Sequence, residues 1–584
     1  MQPPTLQFAA VKNLTGTLIR LPVRGLLLLG SLALAGAFKL YLGLVEAVPF
    51  NADEAVVALM ARHILQGERP VFFYGQAYMG SLDAFLVAGG FLFFGEQVWV
   101  IRMVQAILYL GFLLTTAILG KLAIGSRRVG LGAAWLLAIP VVNLSLYSTA
   151  SLGGYAEALL WGNLILILAL RIAKRVEHEG AAPFWLWLLW GFLAGSGLWV
   201  FGLTLVYSLP AAGFLALKLF SAAGRRPVKR AGTEGQGAET APASHSFIGL
   251  AARAGVLRAS GLIFLGGLLG ACPWLLFGLE HGFAQLVWEL RGGAIAGVEG
   301  LPWLQQAGQH LLSFLALGLT ASFGLRPPWA VHWLGLPLMP LALLFWLGTL
   351  GLAARALLQR GARREGPALL LAVAGCLALG FVLTPFGGDP SGRYFLPLSP
   401  LLALFAAVGM EQLSRRAGWR AWALIVLALA FQLWGNLESL RLSPARLTTQ
   451  FYPITQIDHR YDGELAAFLR EQGARRGYTN YWVAYPLAFL SQEELLFAPR
   501  LPYHADFRYT ERDDRFQPYL EQVKAAERPA YITTHHPGLD RYLREQFQAL
   551  GAAWEEKRIG DYQVFYNLSM HVDAAEIGLG RTYP

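Results

Sequence analysis

Hydrophobic residues along this chain fall in runs of about 20, the length that crosses a bilayer as an α-helix, and short polar segments separate them. The runs lie near 25–48, 98–120, 129–148, 155–173, 259–279, 333–354, 367–384, 394–411 and 420–437. The stretch 183–220 is long enough for two more, joined by a turn near Gly202. The pattern predicts a polytopic α-helical membrane protein with about eleven transmembrane helices. A shorter apolar stretch, 311–325, is read as an interfacial or re-entrant helix. As a full span it would place Arg355, Arg360, Arg363 and Arg364 on the outer side. From about residue 443 no run is long enough to span. Helical patterns at 463–472 and 541–550 alternate there with strand-like pieces at 478–485, 530–533 and 563–566. The expected division is a transmembrane part, 1–442, followed by a small soluble α/β domain, 443–584.

Charge orients the helices. Lys12, Arg20 and Arg24 precede the first run, and Lys121, Arg127, Arg128, Lys174, Arg175, Arg415, Arg416 and Arg420 fall in alternate loops. The positive-inside rule then puts the N-terminus in the cytoplasm and the C-terminal domain outside it, in a multi-pass protein of the inner (plasma) membrane. The first run is too long for a signal-peptide core and is read as a retained span. Residues 221–258, basic and then rich in Gly, Ala, Thr and Glu, read as a flexible cytoplasmic loop.

Composition agrees: 55% of the 584 residues are hydrophobic and 14% charged, which excludes an ordinary soluble domain. A net charge of +10 does not argue for nucleic acid, because the basic residues sit in loops where orientation signals belong. Cys272 and Cys376 both lie in apolar runs and read as packed thiols.

The chemistry concentrates in residues 51–102, the first outer loop and the mouth of the next span, of which 51–97 is expected to fold as short helices along the membrane surface. Asp53 and Glu54 follow the first span directly. Asn51 is a natural N-cap, and acids in a helix's first turn suit its dipole, so a structural role accounts for both. A carboxylate at the bilayer surface, beside Tyr74, Gln76, Tyr78 and Asp83, also suits a general base acting on a hydroxyl. Glu157, after the Gly153-Gly154-Tyr155 turn, is a second acid at the outer end of a span. Lys39 lies about 13 Å below the outer end of the first span; it either snorkels or faces a polar cavity. A Gly/Pro-rich outer loop leads into Arg393 and Tyr394, an interfacial anchor or a cation placed to bind a lipid phosphate. His535-His536 has no third ligand at useful spacing.

The Asp53-Glu54 pair after the first span, Arg102 at the start of the second and the Arg393-Tyr394 element before a Pro-rich late span resemble the GT-C superfamily of membrane glycosyltransferases. The protein O-mannosyltransferases and the aminoarabinose transferases that modify lipid A are the nearest groups. Met79-Gly80-Ser81-Leu82 stands where many members carry Pro-Pro-Leu. The resemblance implies a GT-C-like fold and transfer of a sugar from a polyprenyl-phosphate carrier to a hydroxyl on an acceptor glycan, lipid or protein. It implies Asp53 as the base with Glu54 beside it, and Arg393, Arg102 and Tyr394 at the donor phosphate. Tyr74, Gln76, Tyr78, Asp83, Tyr155, Glu157 and Lys39 would line the cavity. Apart from membrane lipid and these substrates no partner is called for, and no cofactor; a divalent metal is left open. Two other classes fit many spans and buried charges: a lipid or sugar transporter or flippase, and a non-catalytic membrane scaffold. Convergence of Asp53, Glu157, Arg102 and Arg393 on one outer cavity separates the first reading from both.

Overall fold

A computed structural model describes residues 23–224, 244–293, 301–359, 365–389, 391–443 and 445–581. Lys12, Arg20, Glu299, Arg360, Arg363, Arg364 and most of the expected basic loop, 225–243, lie outside the described residues.

The first long helix, α1 (Val23–Leu44), leads into the outer loop. There α2 (Ala52–Leu65) starts on an Asn51 side chain that accepts from the Glu54 N–H at 3.2 Å, and the chain leaves it through Gly67 at φ +113°. The loop then forms a small hairpin, β1 (Phe72–Phe73) and β2 (Gln76–Gly80), and a short apolar helix, α3 (Leu82–Phe94). The hairpin was not expected from the sequence; its turn uses Gly75 at φ +72°, a conformation only glycine adopts freely.

Next come α4 (Val98–Ala123), α5 (Arg127–Leu136), α6 (Val142–Tyr147), α7 (Tyr155–Glu179), α8 (Phe184–Val200), α9 (Leu205–Gly224) and α10 (Ser244–Gly270). The last overturns part of the expected flexible loop, because residues 244–258 are helical. Downstream, Gly191 and Gly195 of α8 meet the α10 backbone so closely that a Cβ on either would clash with a carbonyl, and Gly266 and Gly270 of α10 meet α8 in the same way. Small residues spaced by four let two backbones pack face to face and anchor the helix.

Helix α11 (Cys272–His281) bends by 65° from α10. It is followed by α12 (Phe283–Leu290), α13 (Trp303–Ser313) and α14 (Leu319–Ser322), the last two joined by a π-helical turn. His310 of α13 bonds Val382 O, and Phe314 packs on Phe381 and Phe395, so this segment stays near one end of the helices it touches. The remaining long helices are α15 (Met339–Leu358), α16 (Glu365–Leu383), α17 (Leu398–Ala417) and α18 (Leu424–Leu442). The stretch 398–442 doubles back on itself. Asn143 bonds Gly392 O just before α17, Ser126 meets Glu411 near its far end, and Asn436 of α18 returns to Pro140 O.

Among the described residues seven helices are long and apolar enough to cross a membrane by length and composition, eight if the bent pair is one span, with 398–442 taken as one and α8 one residue short. The chain is a polytopic helical membrane protein. Both cysteines are free thiols; Cys272 is exposed rather than packed.

The C-terminal part is built on a five-stranded sheet. Its helices and strands are α19 (Asp462–Glu471), β3 (Arg476–Thr479), α20 (Tyr481–Leu490), β4 (Leu496–Pro499), α21 (Gln517–Lys524), β5 (Ala530–Thr534), α22 (Pro537–Ala549), β6 (Glu555–Ile559) and β7 (Tyr562–Tyr566). The order is β4-β3-β5-β7-β6, parallel through β4, β3 and β5 and antiparallel through β7 and β6. The strand expected at 478–485 stops at Thr479, because Asn480 caps a helix over the same aromatic residues, its side chain accepting from Trp482 N at 3.0 Å. His536 likewise serves as a cap, accepting from Leu539 N, while His535 pairs with Asp561. Helix α20 is the joint of the molecule. Tyr481, Tyr485, Ala488 and Phe489 belong to the same continuous apolar core as α2.

Candidate active site

Asp53 and Glu54 are neighbours on α2, so their side chains leave the helix about 100° apart. The fold uses that divergence. Glu54 points inward, is fully buried, and accepts from Arg102 Nη2 at 2.6 Å. Burial pushes its carboxyl up, and the Arg102 guanidinium opposes that rise. Arg102 also donates to Val48 O at 3.0 Å. The structure therefore places Arg102 and Glu54 in an ion pair bracing α2 against α4, not at the open site expected of them.

Asp53 points the other way, toward the C-terminal part. Its Oδ1 accepts from the Tyr481 hydroxyl at 2.5 Å. Arg515 lies within electrostatic range of Asp53, of Tyr481 and of Asp513. Asp513 is buried, and burial, reinforced by the Asp53 charge, pushes its carboxyl up to about 7 even though Arg515 and a Tyr503 hydrogen bond pull the other way. Gln76 joins this group: with its amide oxygen turned to Arg515, that oxygen accepts from Nη1 and Nη2 at 2.9 and 2.8 Å.

Arg393 approaches from the membrane helices. It pairs with Asp389, and its guanidinium lies 5.0 Å from the Tyr394 ring centroid. Tyr155 and Tyr78 are within its electrostatic range. The tight turn before it needs Gly392 at φ +87°, where a Cβ would strike Asn143. Tyr147 connects the two halves: its hydroxyl lies within electrostatic range of both Arg393 and Asp53. Tyr147 and Tyr155 pack ring to ring at 5.1 Å, and Tyr155 and Tyr78 both pack on Phe201. Asp53, Gln76, Tyr78, Tyr155, Arg393 and Tyr394 are thus brought together.

The other expected residues lie elsewhere. Tyr74 donates to Glu68 at 2.7 Å and bonds His63 at 3.0 Å, stacked on Phe516, where α2 meets the C-terminal part. Lys39 neither snorkels nor faces a cavity: it is buried, donating to Ser148 O, Ser148 Oγ and Thr149 Oγ1 at 2.8, 2.7 and 2.9 Å. Asp83 accepts from Gln105 at 2.9 Å and from Ser151, and its carboxyl meets that of Glu157. Glu157 and Asp83 are both buried. They form a buried brace between α3 and α7.

Tyr147, Tyr481, Tyr503, Asp513 and Arg515 were missed by sequence reasoning. Tyr147 lies six residues before the Gly153-Gly154-Tyr155 turn. The rest carry no local signal beyond the density of tyrosines between 478 and 519.

The same arrangement of helices occurs in solved structures. ArnT from Cupriavidus metallidurans in the apo state matches with a TM-score of 0.52 at 12% identity, over 94% of this chain and 98% of that one. ArnT bound to undecaprenyl phosphate matches with 0.51 at 12%, over 93% and 98%. The chain has the fold of ArnT. The match to ArnT runs through the C-terminal part as well as the membrane helices, as those coverages require. An archaeal oligosaccharyltransferase from Archaeoglobus fulgidus matches at 0.47 and 14% identity, over 87% of this chain and 69% of that one. No family model matches the sequence, and no curated protein does.

Proposed function

We propose that this protein is an integral membrane glycosyltransferase that moves a sugar from a polyprenyl-phosphate carrier to an acceptor hydroxyl on the outer side of the membrane, with inversion. The observation that carries the reading is a cluster of buried tyrosines in which one hydroxyl, that of Tyr147, lies within electrostatic range of both a carboxylate, Asp53, and a guanidinium, Arg393. Asp53 takes the proton of the acceptor hydroxyl as its oxygen bonds the anomeric carbon. The bond from that carbon to the carrier's phosphate oxygen breaks on the opposite face, and its electron pair leaves with the phosphate. Arg393 stabilises that anion, a role that Arg102, committed to Glu54, is not free to share. ArnT, of the same fold, was solved with undecaprenyl phosphate bound, which supports a lipid-phosphate donor.

The topology supports the outer face. Lys121, Arg127, Arg128, Lys174, Arg175, Arg355, Arg415 and Arg416 lie at helix ends away from Asp53, so that end is the cytoplasmic one. Counting α17 and α18 separately, α5 with α6 as one span, α8, and α10 with α11 as one gives eleven spans, with α13–α14 re-entrant. The C-terminal part is then extracytoplasmic. Incubating the purified protein with polyprenyl-phosphate sugars tests the activity: release of lipid phosphate that depends on Asp53 is expected, and its absence across mannose-, glucose- and aminoarabinose-type donors overturns the reading.

A further inference from the structure

Three guanidiniums act on the Tyr78 hydroxyl: those of Arg393, Arg515 and Arg512. Two are already matched by acids in direct contact. Arg512 Nη2 holds both Glu289 oxygens at 2.6 and 2.7 Å, and Arg393 holds Asp389. Arg515 differs. Among the described residues no carboxylate stands in ion-pair contact with it, and its bonded partners are neutral: the Gln76 amide oxygen and, at 3.5 Å, Gly75 O. Its Nε–H is buried without a partner. A guanidinium offers five N–H donors, so unused donors remain.

The group is also held still. Its charge centre lies 5.3 Å from the Tyr481 ring centroid and 5.8 Å from that of Phe73. The Arg515 backbone N–H donates to the Tyr485 hydroxyl at 2.5 Å, tying this segment to α20. A Cβ at Gly75 would come within 3.0 Å of Arg515 Cδ, so the hairpin glycine makes room for the side chain. Membrane loop and C-terminal part together hold this cation within electrostatic range of Asp53 and of Tyr78.

We propose that Arg515, supplied by the C-terminal part, binds the phosphate group of the donor and of the departing carrier, together with Arg393. This rests on the glycosyltransferase reading above. A sugar phosphodiester carries one negative charge, and the phosphate monoester that leaves carries more. A pre-positioned cation therefore gains strength as the anomeric carbon–oxygen bond breaks and its electron pair moves to the phosphate oxygen. A contact shell of Gln76 and two rings leaves N–H donors of Arg515 open to a ligand.

The test is binding of undecaprenyl phosphate to the full-length protein in detergent, with inorganic phosphate as a second probe. Arg515→Ala should weaken undecaprenyl phosphate binding by about tenfold or more, and Arg515→Lys should restore part of it. Arg508→Ala, which removes an exposed arginine paired with Asp506 on the same segment, should bind as wild type does. Unliganded melting temperatures establish that each variant is folded. If folded Arg515→Ala binds as tightly as wild type, the proposal is overturned. If wild type binds inorganic phosphate but not undecaprenyl phosphate, and only through Arg515, the anion site stands and the lipid-donor reading falls. If wild type binds neither, both fall.

Discussion

The Tyr481 hydroxyl donates to Asp53 Oδ1 at 2.5 Å, joining two residues 428 positions apart in sequence. The residue read as the general base is thereby oriented by the C-terminal part, through a helix whose Tyr481 face shares the core of the membrane helices. Asp53→Asn keeps the shape of the group and removes its capacity to take a proton. Transfer should fall roughly 100-fold or more, with folding intact. Tyr481→Phe removes the orienting bond and should cost roughly tenfold in rate. Released lipid phosphate, measured for each variant at saturating donor, checks both.

Glu54→Gln separates the two acids by a different readout. It leaves the Arg102 guanidinium without its buried partner, so the expected damage is to stability, about 3–5 kcal/mol. Changing both residues to glutamine should recover much of the loss. Thermal unfolding of the single and double variants in one detergent decides this; if Glu54→Gln is stable but inactive, Glu54 is the base.

Arg393→Lys should weaken donor use, because lysine cannot present two parallel donors to a phosphate, and Arg393→Ala should weaken it further. The ordering is read from KM for the donor. Equal KM values for all three proteins would make Arg393 an interfacial anchor whose Asp389 pair is structural.

Asp513 supplies a pH signature. Its carboxyl is pushed up to about 7 by burial and by Asp53, from an ordinary value of 3.8. The folded state thus holds a proton that the unfolded chain has lost, and stability from this group declines as pH rises from about 3.8 to about 7, then levels off. The transfer rate should show an inflection near 7 as a negative charge appears beside Asp53 and Arg515. Asp513→Asn should remove both the decline and the inflection, as read by melting temperature and rate from pH 5 to 9.

Much of this molecule follows from its sequence alone. Runs of about 20 apolar residues must cross the bilayer, because unpaired backbone in hydrocarbon is too costly for any other local solution. The cap at Asn51 and the turn at Gly67 are local consequences of residue type. What each charge does was decided by tertiary packing. Asp53 and Glu54 are indistinguishable in sequence, and only the placement of α4 behind α2 gave one of them to Arg102. Lys39, Asp83 and Glu157 read as candidates for a cavity because isolated charges in apolar surroundings need partners; the partners are 109 residues away for Lys39 and 68 for Asp83, on other elements. Tyr481, Asp513 and Arg515 carry no pattern that points at Asp53. They reach it because the exposed end of one membrane loop and one face of α20 bury the same apolar surface, a match that hydropathy along a single chain does not encode.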